Sequence, residues 1–202
     1  MYAIVEDNNI TQYINNPKSV IIGNVRYPAK IFELWTTAEK EAIGIYEIVV
    51  DKTNYKDPEY YNNTNSSYTF ADGQVTESWG TATAKELEDR NATDEDGVEL
   101  NPIVVIEGLK PEKKKIVKAQ ASTLLERTDW HNHKALDDDS YTIPDNIKTY
   151  RANVRAKSNE METQIDACNN VDELKTLYEY VNTGTEENPV YERPLAEFPE
   201  EI

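Results

Sequence analysis

A single cysteine, Cys168, stands in a chain of 202 residues, so no intramolecular disulfide can form and a cysteine-based zinc site has no second thiolate. Long apolar runs are missing as well. No segment approaches the roughly 20 residues that span a bilayer, and residues 1–25 carry no basic stretch followed by a continuous apolar one. A soluble chain made in a reducing cytosol, with no membrane partner, is the expectation. Glycine is scarce and scattered, at seven residues, which leaves no phosphate-cradling turn and no glycine-flanked serine elbow. Basic residues are outnumbered, 21 against 38 acidic, and the formal charge of −17 repels phosphate backbones and anionic surfaces. Nucleic acid is therefore not an expected partner. The carboxylates are so many that no pair is singled out for acid–base work. The chain reads as a protein without cofactor and not as an enzyme, large enough to bury a core unaided.

Tyrosine is abundant, at 13 residues against three each of Trp and Phe, and it combines contact area with a polar tip. Two apolar runs flank Asp7, Asn8 and Asn9, and two more flank Gly23-Asn24. Both patterns predict β-hairpins, the second stopped by Pro28. A short helix is expected within residues 31–43, with Thr36 or Thr37 as N-cap and Gly44 just past its end, and a strand over Ile45 to Val50. Residues 54–67 are polar and turn-rich and read as an exposed connection. Asp72-Gly73, the strongest turn signal in the chain, predicts a hairpin between Tyr68–Phe70 and Gln74–Trp79.

Between Glu86 and Leu100, seven acids stand against Arg90 alone and apolar periodicity disappears, the composition of a linker or mobile loop. Residues 102–106 form a β-branched run, either one more strand of the first module or a bridge to the second. Helical periodicity follows. Val117, Ala121, Leu124 and Thr128 share one stripe, opposite a lysine face of Lys113, Lys114, Lys115 and Lys118 that reads as solvated. A second long helix is expected from Pro144-Asp145 to about Cys168, with Ile147, Tyr150, Val154, Met161, Ile165 and Cys168 inward. A third uses Leu174, Leu177, Tyr178 and Val181, with Gly184 past its end. The proline-punctuated tail is expected to lie extended on the surface. His131, His133 and Asp137 to Asp139 offer metal-ligand types, but in a turn-like loop without helical His spacing; metal binding there is left open and a solvated loop is favoured.

The order of three phrases in the C-terminal half carries a resemblance. Leu124-Leu125 and Thr128-Asp129-Trp130 precede Pro144; a helix with Tyr150-Arg151 and Val154-Arg155 follows; the tail ends in Pro194-Leu195-Ala196-Glu197-Phe198-Pro199. This region resembles the C-terminal part of bacteriophage tail fibre assembly proteins, and it covers less than half of the 202 residues. The whole chain, through YAIV (residues 2–5), IFELW (31–35), AIGIYEI (42–48) and TATAK (81–85), is also similar to tail-associated proteins of marine phages. The resemblance implies a virion tail location after synthesis in the host cytoplasm, with other tail or fibre proteins as partners. The alternative it implies is a fibre assembly chaperone. The β-rich N-terminal module and the third helix depart from the chaperone pattern.

Physically, Thr128 can cap a turn, Asp129 can pair with Arg151, Trp130 can staple the loop to the next helix, and Arg155 lies one turn from Arg151. These residues read as the fastening of a helical hairpin in preference to a partner contact. The expected fold is α+β: a β-rich module over 1–85, an acidic linker and short strand over 86–108, and a helical module with extended tail over 109–202. The binding surface is expected on the first module, at Tyr55, Tyr60, Tyr61 and Tyr68. A homo-oligomer or symmetric tail assembly is compatible with the composition.

Overall fold

The computed structural model describes residues 1–202 and has an α+β fold in two compact units, Met1–Thr83 and Ala84–Ile202. The acidic segment thus belongs to the second unit. In the first unit the elements run β1 (Tyr2–Glu6), β2 (Asn9–Ile14), β3 (Val20–Ile22), β4 (Val25–Tyr27), α1 (Ile31–Leu34), α2 (Thr37–Glu41), β5 (Ile45–Asp51), β6 (Tyr61–Asn62), β7 (Ser66–Ala71) and β8 (Gln74–Trp79). A short strand, β9 (Thr83–Ala84), ends this half of the chain.

Five strands form one sheet in the order β2-β1-β5-β8-β7, antiparallel except for the central β5–β8 pair. Two local turns set its hairpins. Asp7 and Asn8 both take positive φ (51° and 62°), as do Asp72 and Gly73 (51° and 75°), the conformation that a two-residue turn needs to match strand twist. The YAIV run is apolar at every position because β1 is covered on both faces. Ile4 packs with Ile14, Val20, Ile31, Phe32 and Ile45, whereas Ala3 and Val5 pack with Ile48 and Val75. Tyr13 of β2 meets Tyr68 of β7, ring centroids 4.7 Å apart, so the sheet curls until its two edge strands approach. Thr36 is the N-cap of α2 in a full capping box with Glu39. Gly44, at φ 86°, lets the chain leave α2 against β1: its carbonyl accepts from Val5 N–H (2.8 Å), and a Cβ there would lie 2.6 Å from Val5 O.

The second unit comprises β10 (Arg90–Asn91), β11 (Val105–Ile106), α3 (Leu109–Glu126), α4 (Asp129–Asp137), α5 (Asp145–Ala167), α6 (Val171–Tyr178), β12 (Val181–Asn182) and β13 (Tyr191–Glu192). The predicted stripe of α5 is its buried face, with Val154, Met161 and Ile165 at 1 % exposure or less. Tyr150 and Val154 pack with Ala121 of α3 and with Leu124, Leu125 and Phe198.

Several expectations are corrected in this unit. Residues 86–100 are not a free linker, because a helix start leaves N–H donors that require acceptors. Leu109 N–H donates to Glu86 O (3.0 Å), Lys110 N–H to Leu87 O (2.9 Å) and Gly108 N–H to the Asp89 carboxylate (2.8 Å). The lysine face of α3 is solvated only in part: Lys115 and Lys118 are exposed as expected, but Lys113 is not. Lys110 and Lys113 are buried; the Lys110 ammonium binds Glu88 (2.8 Å), Lys113 lies over the Tyr178 ring, and Lys114 and Lys118 reach Asp166 and Glu162 of α5. The hydrogen bond to Asp166 raises the pKa of Lys114. The His131–Asp137 segment is helix, not loop, its polar composition having hidden any periodicity. The third helix stops at Tyr178, before Val181 and Gly184, both of which belong to the β12–β13 hairpin region. The tail runs extended but is docked: Leu195 is buried, and its N–H donates to Leu177 O (3.0 Å).

Candidate functional site

The residues that carry the family resemblance meet in the second unit around one guanidinium. Arg151, on the buried face of α5 and 8 % exposed, donates from Nη1 to Leu125 O (2.8 Å) and Thr128 Oγ1 (2.7 Å), and from Nη2 to Asp129 Oδ1 (2.7 Å). Thr128 Oγ1 in turn donates to Leu125 O (3.0 Å). The group thereby adds to the donors on a carbonyl at the end of α3, which also accepts from Thr128 N–H (3.0 Å), and pairs with a carboxylate at the start of α4, joining three helices at one corner. Tyr150, one position earlier, turns to the apolar side and joins Leu124 and Leu125 there. Arg155 is exposed and donates to Arg151 O (3.3 Å), lying along its own helix.

Trp130 meets the loop that follows α4 from the solvent side, its ring centroid 6.4 Å from that of Tyr141. It is 54 % exposed and stacks on the His131 ring, centroids 3.7 Å apart, because its neighbours Asp129 and His131 take the inward positions. His131 is buried, with Nδ1 against the Tyr141 hydroxyl, whose ring lies under the Lys134 ammonium. No group of three or more His, Cys, Asp or Glu side chains is placed to hold a metal ion. Burial raises the pKa of the Cys168 thiol, which bonds to Gln164 O. A nucleophile's environment would do the reverse.

The four tyrosines expected to form a contact surface are not brought together as one. Tyr60 and Tyr61 are buried, at 4 % and 6 %, inside a segment closed by Asn63, which exchanges hydrogen bonds with Lys56 N–H and O (2.9 and 2.7 Å). Tyr68 donates to Glu77 (2.8 Å) and packs at a tilt against Tyr13; the hydrogen bond raises its pKa. Only Tyr55 remains exposed, edge-on to Trp79.

The exposed apolar surface lies instead on the ribbon of β10 and β11. Ile103, Val104, Val105 and Ile106 are 63, 49, 57 and 40 % exposed, and Val98 and Leu100 stand out beside them. The strands pair Arg90 with Ile106 and Asn91 with Val105, and β10–β11 is a sheet of two strands only. Four consecutive apolar residues make the pattern of a strand covered on both faces. That was the available sequence signal, and here both faces meet solvent. The rim is acidic. Asp94 accepts from Asp96 and Val98 N–H (3.0 and 2.9 Å) and Glu99 from Asn91 Nδ2 (2.9 Å), contacts that hold these carboxylates without neutralising them.

The ribbon is thus an exposed apolar surface, and the arginine corner joins α3, α4 and α5. Comparison with protein-family models, with curated proteins and with solved structures finds no match to this chain.

Proposed function

We propose that this chain is a non-enzymatic structural protein of a bacteriophage tail, fibre-associated or an adaptor, that acts by binding other tail proteins. One observation carries the protein-binding part: a short two-stranded ribbon exposes six apolar residues between Val98 and Ile106. A two-stranded ribbon is marginal alone in water, and a contiguous exposed apolar patch is the usual mark of an interface. The tail assignment is supported by the order of the LL-x-x-TDW, YR-x-x-VR and PLAEFP phrases, whose residues converge on one corner and on the cluster beside it. The binding surface therefore moves from the Tyr55–Tyr68 segment to the ribbon of the second unit.

Mass spectrometry of purified particles of the phage that encodes the chain tests the assignment. The chain is expected at a copy number fitting the tail symmetry. Its absence from particles would refute the structural role, and a gain in soluble fibre on co-expression would then mark an assembly chaperone.

A further inference from the structure

β11 has one neighbour and one open edge. Because Ala92 N–H donates to Val104 O (2.7 Å), and successive residues of a strand turn their backbone groups to opposite edges, Val105 presents its N–H and C=O away from β10. Side chains on both faces of this edge are apolar and exposed. Natural proteins blunt open edges with charge, proline or a cover. Here Ile103 to Ile106 carry no charge, and the one proline, Pro102, lies before them. Such an edge suits strand addition, in which main-chain bonds supply affinity and alternate side chains supply specificity.

The rim selects the occupant. Between residues 86 and 99 seven carboxylates face one arginine, and those of Asp94, Glu95, Asp96 and Glu99 cluster at the tip and return of the ribbon. Pairing with a second copy of the same strand would set two such clusters against each other, and like charges across strands oppose pairing. An incoming segment with lysine or arginine among its apolar residues is attracted instead. We propose that the outer edge of β11 receives an extended segment of another protein, added as a strand whose side chains are alternately apolar and basic. This rests on the reading of the chain as a protein-binding component and supplies the partner's chemistry.

The test uses the full chain and two labelled peptides of about ten residues, one alternating valine with lysine, the other valine with glutamate, followed by fluorescence anisotropy and amide exchange. The lysine peptide is expected to bind and to slow exchange at Val105, with the glutamate peptide at least about 100-fold weaker. Val105→Pro removes the outward N–H while leaving the β10 bonds, and should weaken the lysine peptide about tenfold, with the Ala92 amide as protected as before. The triple variant Glu95→Lys, Asp96→Lys, Glu99→Lys leaves the strand backbone intact and should reverse the preference. Equal binding of the two peptides, undiminished binding by Val105→Pro, an unreversed preference, or self-association of the wild-type chain that Val105→Pro abolishes would each overturn the inference. The two readings fail separately. Wild-type chain missing from particles refutes the tail role whatever the peptides do, whereas Val105→Pro chain incorporated at the wild-type level refutes strand addition and leaves the tail role standing.

Discussion

Arg151 holds the corner where α3, α4 and α5 meet, and Arg151→Ala is the substitution that weighs it. The guanidinium makes two hydrogen bonds, to Leu125 O and Thr128 Oγ1, and an ion pair with Asp129. A hydrogen bond from a charged donor contributes about 1.5–3 kcal/mol, and breaking a fully buried ion pair costs about 3–5. The Asp129 side chain is 45 % exposed, so it rehydrates when its partner is lost and adds little to the cost. The carbonyl of Leu125 retains the Thr128 hydroxyl as donor. Loss of the arginine is then expected to cost about 3 kcal/mol, mostly through the two buried hydrogen bonds. Asp129→Ala, by the same reasoning, should cost about 1. Arg151→Lys keeps the charge but cannot span three acceptors, and should fall between them. The assay is thermal unfolding followed by far-UV circular dichroism, because α3 to α6 dominate the helical signal; about 3 kcal/mol corresponds to a fall of roughly 10 °C for a unit of this size. A double-mutant cycle isolates the ion pair. The reasoning is refuted if Arg151→Ala costs under about 1 kcal/mol, or if Asp129→Ala costs more than Arg151→Ala.

Three other outcomes follow from the same geometry. At Gly108 a Cβ would lie 2.3 Å from the Glu88 carbonyl carbon and 2.5 Å from its oxygen. Gly108→Ala should therefore displace residues 86–89 from the start of α3, at about 1–3 kcal/mol, read as faster amide exchange at Leu109 and Lys110. Leu195→Ala empties a buried position on the docked tail and should cost about 3 kcal/mol; limited proteolysis should then cut between Pro194 and Pro199, where the wild-type chain resists. The Thr36 N–H beside Glu39 and the Asn169 N–H beside Glu173 hold both carboxyls below their ordinary value of 4.5. Each binds its proton more weakly folded than unfolded, so its stabilisation is complete above the ordinary value and is lost as pH falls through the depressed one. The melting temperature should decline over that acid range, and less steeply in the Glu39→Gln, Glu173→Gln double variant.

What the sequence disclosed was local, and what it concealed depended on distant partners. The Asp7-Asn8 and Asp72-Gly73 hairpins, an N-cap at Thr36 or Thr37 and the α5 stripe each lie within one stretch of chain whose residues dictate the backbone. The Asp129–Arg151 pair was also legible, since the TDW segment and the helix that follows it bring one carboxylate and one guanidinium into the same hairpin. The parallel β5–β8 pairing was not, because no turn fixes the register of strands so far apart. Composition misled where a charge had a remote partner. Lys113 read as solvated, yet the Tyr178 ring receives it inside the fold. Tyr60 and Tyr61 stood in a polar context, yet both are buried in a segment that the Asn63–Lys56 hydrogen bonds close.

The separation between motif and surface has a mechanical consequence. Arg151 acts on the end of α3, and the start of α3 is where Glu86, Leu87 and Asp89 anchor the base of the apolar ribbon. One rigid helix of 18 residues thus connects the fastening at one end to the ribbon at the other. A loosened corner lets α3 shift against α5, and the acceptors that position residues 86–89 lose their fixed donors. Residues at the corner can therefore be constrained by binding without touching a partner. On the proposed reading, the phrases that carry the resemblance build the frame behind β11, and the choice of partner falls to Val105 and the carboxylates of the ribbon.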